Sequence, residues 1–335
     1  MNIKEANLIN IALENLFNAT GLRGKWRGNG IKELDGKLEL VIGNKHPVFN
    51  LEVKKEFRNH HLPIIMEHVK KWAPLMLVAE KIFPKIKEEL RKQKIAYIET
   101  NGNIYLNADE QFVWLEGNKA LTTQGEKVNR AFTKTGAKVI FLFLLEENFI
   151  NLPYRNLTEK ADVALGNINY IMNGLKEMGF ILKINKEEVK LTNKKELLEK
   201  WMAAYEEKLK PHLYVDTFRF LKEEDFLNWE KLPLKHGETY WGGEPAGDLL
   251  TDYLRPAMFT LYTNETRADL MKNYKLVPDK TGNIKVYKKF WELKERDKVN
   301  HVPPLLVYAD LMNTGDPRNI ETAQKIYARF LQNKY

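Results

Sequence analysis

The chain of 335 residues contains no cysteine and no serine. The first absence removes disulfides, thiolate zinc sites and cysteine nucleophiles together. The second removes Ser-His-Asp hydrolase chemistry. No GxxxxGK[ST] loop, GxGxxG or HExxH occurs, so the common nucleotide-binding and zinc-protease readings have no support. Long apolar runs are also missing. The longest, Val139 to Leu145, is core-sized and well short of the roughly 18 residues that span a membrane. The opening Met-Asn-Ile-Lys-Glu-Ala has no secretory apolar region and reads as the start of a helix, so the expected location is the cytoplasm.

Basic residues are in surplus, with a net charge of +8. About +7 of this falls before residue 211 and about +1 after it. The first two segments are therefore the expected polyanion-facing part. At roughly 100–200 residues per domain, the length suggests two or three domains. Composition shifts and turn signals place them at 1–122, 123–195 and 196–335, with a linker near Asn118 to Gly125. The fold class expected is multidomain, α/β followed by α+β.

In the first segment, Leu8, Ile11, Ala12 and Leu16 have the spacing of an amphipathic helix, which Gly21, Gly24, Gly28 and Gly30 then break. Lys37 to Ile42 and Val48 to Val53 are strand-like runs around a Gly43-Asn44-Lys45-His46 turn. Helices are expected over Leu62 to Trp72 and Phe83 to Gln93, and strands over Pro74 to Ala79, Ala96 to Ile98 and Ile104 to Leu106. That order makes a small α/β domain.

Asp35 precedes the first strand of the hairpin, and Glu52-Val53-Lys54 lies on the second. Strand alternation puts Glu52 and Lys54 on one face. Asp35 and Glu52 could hold Mg²⁺ through oxygen, with Lys54 orienting the attacking water and Glu14 as a further acid. The pattern resembles the restriction-endonuclease-like fold, whose signature is an Asp followed on the next strand by Glu-x-Lys. Two outcomes stay open: an active Mg²⁺-dependent nuclease, or an inert form of the fold that grips DNA. His60, His61 and His68 read as surface histidines rather than metal ligands.

The middle segment predicts helices over Thr133 to Glu146, Leu157 to Ala161 and Leu165 to Met178, then strands over Phe180 to Ile184 and Glu188 to Leu191. Three helices on short turns followed by a ribbon is the order of a winged helix-turn-helix. On the third helix Ile168, Ile171, Met172, Leu175 and Met178 form an apolar stripe. Asn169, Tyr170, Asn173 and Lys176 occupy the opposite face, with Asn167 near its start. Asn pairs bidentately with adenine, and Lys contacts guanine or phosphate. Arg155, Lys183, Lys186 and Lys190 are placed to neutralise flanking phosphates. The expected partner is double-stranded DNA. The bland alternative is a polar face that only keeps the helix soluble.

A helix is expected over Lys195 to Leu209, ending before Pro211. The last segment predicts a helix over Pro245 to Tyr253, strands over Phe259 to Tyr262 and Ile284 to Phe290, and a final helix capped by Asp316 with Pro317 at its first position. Trp241 and Tyr308 read as core. Arg255, Asp310 and Arg318 read as an internal salt-bridge set or a partner surface.

Several short runs have a familiar order: Arg130-Ala131-Phe132-Thr133 with Gly136 and Val139, Pro153-Tyr154-Arg155, Val163-Ala164-Leu165-Gly166, Trp241-Gly242-Gly243-Glu244, Tyr253-Leu254-Arg255-Pro256, Pro304 to Leu311, and Thr314-Gly315-Asp316-Pro317-Arg318-Asn319. Together they resemble, from about residue 75 onward, the AbiEi-family antitoxins of type IV toxin–antitoxin systems in a longer form with an extra N-terminal domain. The resemblance implies a regulator that represses its own operon. It also implies a partner toxin with a nucleotidyltransferase-like fold, opposed without a stable complex. No cofactor is expected, save Mg²⁺ under the nuclease reading.

Overall fold

The computed structural model describes residues 3–28, 34–57, 61–108, 111–118, 130–185, 188–292 and 299–335. The chain divides into two compact units, Met1–Gly125 and Glu126–Tyr335. The expected linker lies for the most part outside the described residues. No described helix is long and apolar enough to cross a membrane.

The first unit runs α1 (Ile3–Thr20), β1 (Arg23–Gly28), β2 (Gly36–Val41), β3 (Val48–Phe57), α2 (Leu62–Trp72), β4 (Leu75–Ile82), α3 (Pro84–Lys92), β5 (Ala96–Glu99), β6 (Ile104–Ala108) and β7 (Gln111–Leu115). Its seven strands form one sheet in chain order. β3, β4 and β5 pair in parallel, and the flanking strands antiparallel. Leu75 to Ala79 is buried without interruption, as a parallel strand covered on both faces should be. Ile9, Ala12 and Leu16 of α1 cover one face, against Leu38, Leu40, Leu51 and Val53. Ile65 of α2 with Ile86 and Leu90 of α3 cover the other, against Phe57, Leu77 and Tyr97. The period of two on β3 therefore turns Glu52 and Lys54 away from α1.

The second unit begins with a 3-10 turn, Arg130–Phe132, then α4 (Lys134–Leu145), α5 (Tyr154–Ala161) and α6 (Leu165–Glu177), the ribbon β8 (Ile181–Lys183) and β9 (Val189–Leu191), and α7 (Lys194–Ala204). A wide turn through Tyr205–Leu209 carries the chain into α8 (Lys210–Leu213). The helix expected to stop before Pro211 thus continues through it. Proline is tolerated there because the first turn of α8 needs no backbone donor from it. Then follow β10 (Tyr214–Phe220), α9 (Glu223–Leu227), β11 (Thr239–Gly242), α10 (Gly243–Thr251), β12 (Phe259–Thr263), α11 (Arg267–Tyr274), β13 (Leu276–Pro278), β14 (Ile284–Lys288), α12 (Pro304–Met312) and α13 (Pro317–Ile326). The sheet order is β11-β12-β14-β10-β13, with β12 and β14 parallel.

One continuous core joins the helical start of this unit to its sheet. Its centre is α4, buried from Val139 to Leu144. Phe141 stacks on Trp201 at 5.4 Å and meets Phe290 at 5.0 Å. Trp201 donates its indole N–H to the Ala137 carbonyl at 2.9 Å. Trp241 is core as expected, while Tyr308 is half-buried against Tyr327.

Candidate nucleic-acid interface

Helix α6 is fixed from three sides. Asp162, in the left-handed region at φ 49°, ends α5, and its carboxylate takes Lys138 at 3.2 Å. Ile168, Ile171, Met172 and Leu175 are buried, whereas Met178, expected in the same stripe, is 37% exposed past the helix end. Thr192 and Phe180 close the ribbon with a backbone bond of 2.9 Å. The Asn151 side chain bonds both backbone groups of Val189 at 3.0 Å, acting as a further rung beside β9.

This scaffold presents Asn169, Tyr170, Asn173 and Lys176 together on the exposed face of α6, with Asn167 partly covered. Arg155 is exposed on the first turn of α5, and Lys183 and Lys190 on the ribbon. Lys186 lies outside the described residues. Sequence reasoning missed Arg130. Its guanidinium sits 4.3 Å from the Tyr170 ring centroid, a cation–π contact that holds a positive charge beside the polar face of α6. A pairing across 40 positions leaves no spacing signal. The ribbon also exposes Leu182 and Ile184.

In the first unit, Asp35 and the Glu52-Val53-Lys54 strand do meet. The Asp35 N–H donates to Leu51 at 3.0 Å, and the Val53 N–H donates to Asp35 Oδ2 at 2.7 Å. Burial pushes the Asp35 carboxyl above its ordinary range, against the Val53 N–H and Lys54, which pull it down. Glu52 is buried, with Lys54 Nζ at 2.8 Å on one oxygen and His68 Nδ1 at 3.0 Å on the other. His68 is therefore a partner of Glu52 and not a plain surface histidine. His61 packs on Phe57, and His60 lies outside the described residues. Glu14 is exposed on α1. A second buried carboxylate, Glu99, takes Lys87 at 2.6 Å and the Ile82 N–H at 2.7 Å. Among the described residues, no three His, Asp or Glu are placed to hold a metal ion.

The C-terminal runs that read as family motifs meet in two buried polar knots. Glu244 accepts from the Ala257 and Met258 N–H groups at 2.7 and 3.1 Å and from Asn319 at 3.1 Å. Asp310 takes Lys210 at 2.9 Å and the hydroxyls of Tyr205 and Tyr262 at 2.8 and 2.9 Å. Of the two readings of Arg255, Asp310 and Arg318, the internal salt-bridge set does not form. Arg255 is exposed, and Arg318 turns back to Asp316 at 3.5 Å. Gly242 is needed between the knots, since a Cβ there would lie 2.5 Å from the Tyr262 ring.

Residues 190–332 match the family model described as transcriptional regulator, AbiEi antitoxin, type IV TA system. This stretch, from β9 into the turn after α13, is similar to that family and holds both polar knots. No curated protein and no solved structure matches the chain.

Proposed function

We propose that the chain is a cytoplasmic transcriptional regulator that represses its own operon and serves as the antitoxin of a type IV pair, opposing a toxin with a nucleotidyltransferase-like fold. Three parts divide the work. Residues 123–195 are a winged helix-turn-helix that binds the operator, 196–335 carry the antitoxin role, and 1–122 form an endonuclease-like domain. One observation carries the DNA reading: the α6 face of Asn169, Tyr170, Asn173 and Lys176, with Arg130 stacked on it, on a chain whose following region matches a regulator family.

The test is fluorescence anisotropy of the full chain on its own upstream DNA and on a scrambled duplex, at two salt concentrations. The upstream DNA is expected to bind more tightly, and both affinities to fall with salt. Asn169→Ala with Asn173→Ala should cost about 1–3 kcal/mol of discrimination for each lost base pairing and leave the melting temperature unchanged. Arg130→Ala should weaken both duplexes alike and reduce the salt slope by about one. Unchanged operator preference in the asparagine double variant sinks the assignment of α6. Binding that ignores both sequence and salt sinks the DNA reading altogether.

A second reading is a Mg²⁺-dependent nuclease acting through Asp35, Glu52 and Lys54, guided by the winged helix. The meeting of those three residues favours it. Among the described residues no third His, Asp or Glu joins Asp35 and Glu52 in a set placed to hold a metal ion, so the donors present do not make a full site as folded. The expected result is no cleavage of supercoiled DNA with Mg²⁺ or Mn²⁺. Cleavage that disappears in Lys54→Ala would establish the nuclease instead.

A further inference from the structure

The two edges of the first sheet are built differently. β1 forms one edge and carries Arg23, Lys25 and Arg27, all exposed. Charged side chains of this kind keep a sheet edge from pairing with another chain. β7 forms the other edge, and no described strand lies beyond it. Its sequence, Gln-Phe-Val-Trp-Leu, has no charge, no proline and no glycine. Phe112 is 63% exposed and Trp114 is 55% exposed.

Alternation puts both rings on one face of the strand. They extend an aromatic row that begins in the core. Tyr97 stacks on Tyr105 at 5.7 Å, Phe112 meets Tyr105 edge-on at 6.1 Å, and Arg91 lies 5.2 Å from the Trp114 ring. An apolar, uncharged edge carrying two half-covered aromatics is the opposite of the guarded edge that the same sheet shows at β1.

We propose that β7 pairs antiparallel with β7 of a second copy of this chain, joining two seven-stranded sheets into one. The strand fits itself. A twofold through Val113 sets Phe112 against the second copy's Trp114 on both sides of the axis. Within the five residues of the strand no like charges meet; continued by one residue, the same register sets Glu110 opposite the second copy's Glu116, whose charge Arg91 offsets at 2.7 Å. Aromatic cross-strand pairs are favourable units of sheet pairing. The sequence is also short of the charge that would select a different, polar partner. Four rings, each more than half exposed, supply on the order of 400–500 Å² of buried area, to which the strand backbones add. That is a small interface, so the dimer is expected in the micromolar range. The inference does not depend on the DNA reading.

The absence of cysteine makes the test clean. Across an antiparallel pair, facing Cα atoms are about 4.5–5.5 Å apart, a separation that a disulfide spans. Full-length Val113→Cys is expected to form a covalent dimer on mild oxidation, and Lys25→Cys on the guarded edge is not. In sedimentation equilibrium, wild type should dimerise below about 100 µM, and Phe112→Lys with Trp114→Lys should raise the dissociation constant at least tenfold. Circular dichroism and the melting curve of the double variant report its folding. Because Val113→Cys is a small change, cross-linking decides the matter if the lysine variant does not fold. A wild-type monomer at that concentration, or a dimer that Val113→Cys fails to trap, overturns the proposal.

Discussion

Asp310→Ala is expected to destabilise the second unit by roughly 3–5 kcal/mol, the usual cost of removing one member of a buried ion pair. Asp310 on α12 is 3% exposed and accepts from three groups: Lys210, Tyr205 and Tyr262. Burial, reinforced by the Asp310 charge, holds both tyrosines well above their ordinary range, so they remain donors. Alanine would take the shared acceptor from all three groups, leaving the two buried hydroxyls only each other and the mostly covered ammonium only Glu206 at 3.3 Å. At about 2–4 °C per kcal/mol for a unit of this size, the melting temperature should drop by roughly 10 °C. Asp310→Ala combined with Lys210→Met should recover part of the loss, because the stranded charge goes too.

The same pair sets a pH dependence. Burial pulls the Lys210 ammonium down, but Asp310 and then Glu206 outweigh it and hold it above the ordinary lysine value. A cation whose folded value is raised adds stability that is complete below the unfolded value of about 10.4 and is lost as pH rises through the folded one. The gap between wild type and Asp310→Ala should therefore be constant from neutral pH to about pH 10 and narrow only in stronger alkali. Thermal melts followed by near-ultraviolet circular dichroism report on it, since Trp201, Trp241 and Trp291 are all in this unit's core. A variant melting within about 2 °C of wild type would show that the knot contributes little.

How much of this was legible in the sequence depends on the range of each interaction. Helices α2, α3, α4 and α6 stand within a few residues of their expected bounds, because their apolar stripes and end signals are local. The edge strands β1 and β7 were not expected. β1 reads as charge and glycine, and an edge strand buries too little to need alternation. β10 and β11 were missed for a different reason. Thr239 to Gly242 is buried throughout and offers no period of two. In the acidic constellation, the approach of Asp35 to Glu52 followed from hairpin register. The link from His68 to Glu52 did not, nor did that from Lys210 to Asp310, because contacts between distant segments leave no spacing behind. Asp310 reads in the sequence as grouped with Arg255 and Arg318, in a salt-bridge set or on a partner surface. It meets lysine because α8 runs on through Pro211 and brings Lys210 to it.

Gly136→Ala is expected to cost about 3 kcal/mol or more and to weaken DNA binding with it. Overpacking a core usually costs roughly 1–3 kcal/mol, when side chains can shift to make room. Here they cannot. A Cβ on Gly136 would lie 1.9 Å from the Ala131 carbonyl oxygen and 2.5 Å from its carbon, so backbone must move. Gly136 sits in the first turn of α4, where its N–H is also capped by the Thr133 hydroxyl at 3.2 Å. On one side of the clash is the helix whose residues Val139 to Leu144 are the centre of the core. On the other is the 3-10 turn that carries Arg130 onto Tyr170. If the helix yields, stability falls. If the turn yields, Arg130 leaves the polar face of α6 and affinity falls for all DNA sequences alike. Gly166→Ala is the control for the substitution itself, because nothing stands within 4 Å of its Cβ position and alanine is the better helix former by up to about 1 kcal/mol. Melting curves on both variants and anisotropy on Gly136→Ala separate the cases, Gly166→Ala serving as the control for stability alone because Gly166 lies beside Asn167 on the helix assigned to DNA. Gly136→Ala with the melting temperature and affinity of wild type would mean that the turn before α4 has room to give, and that Arg130 is not held by it.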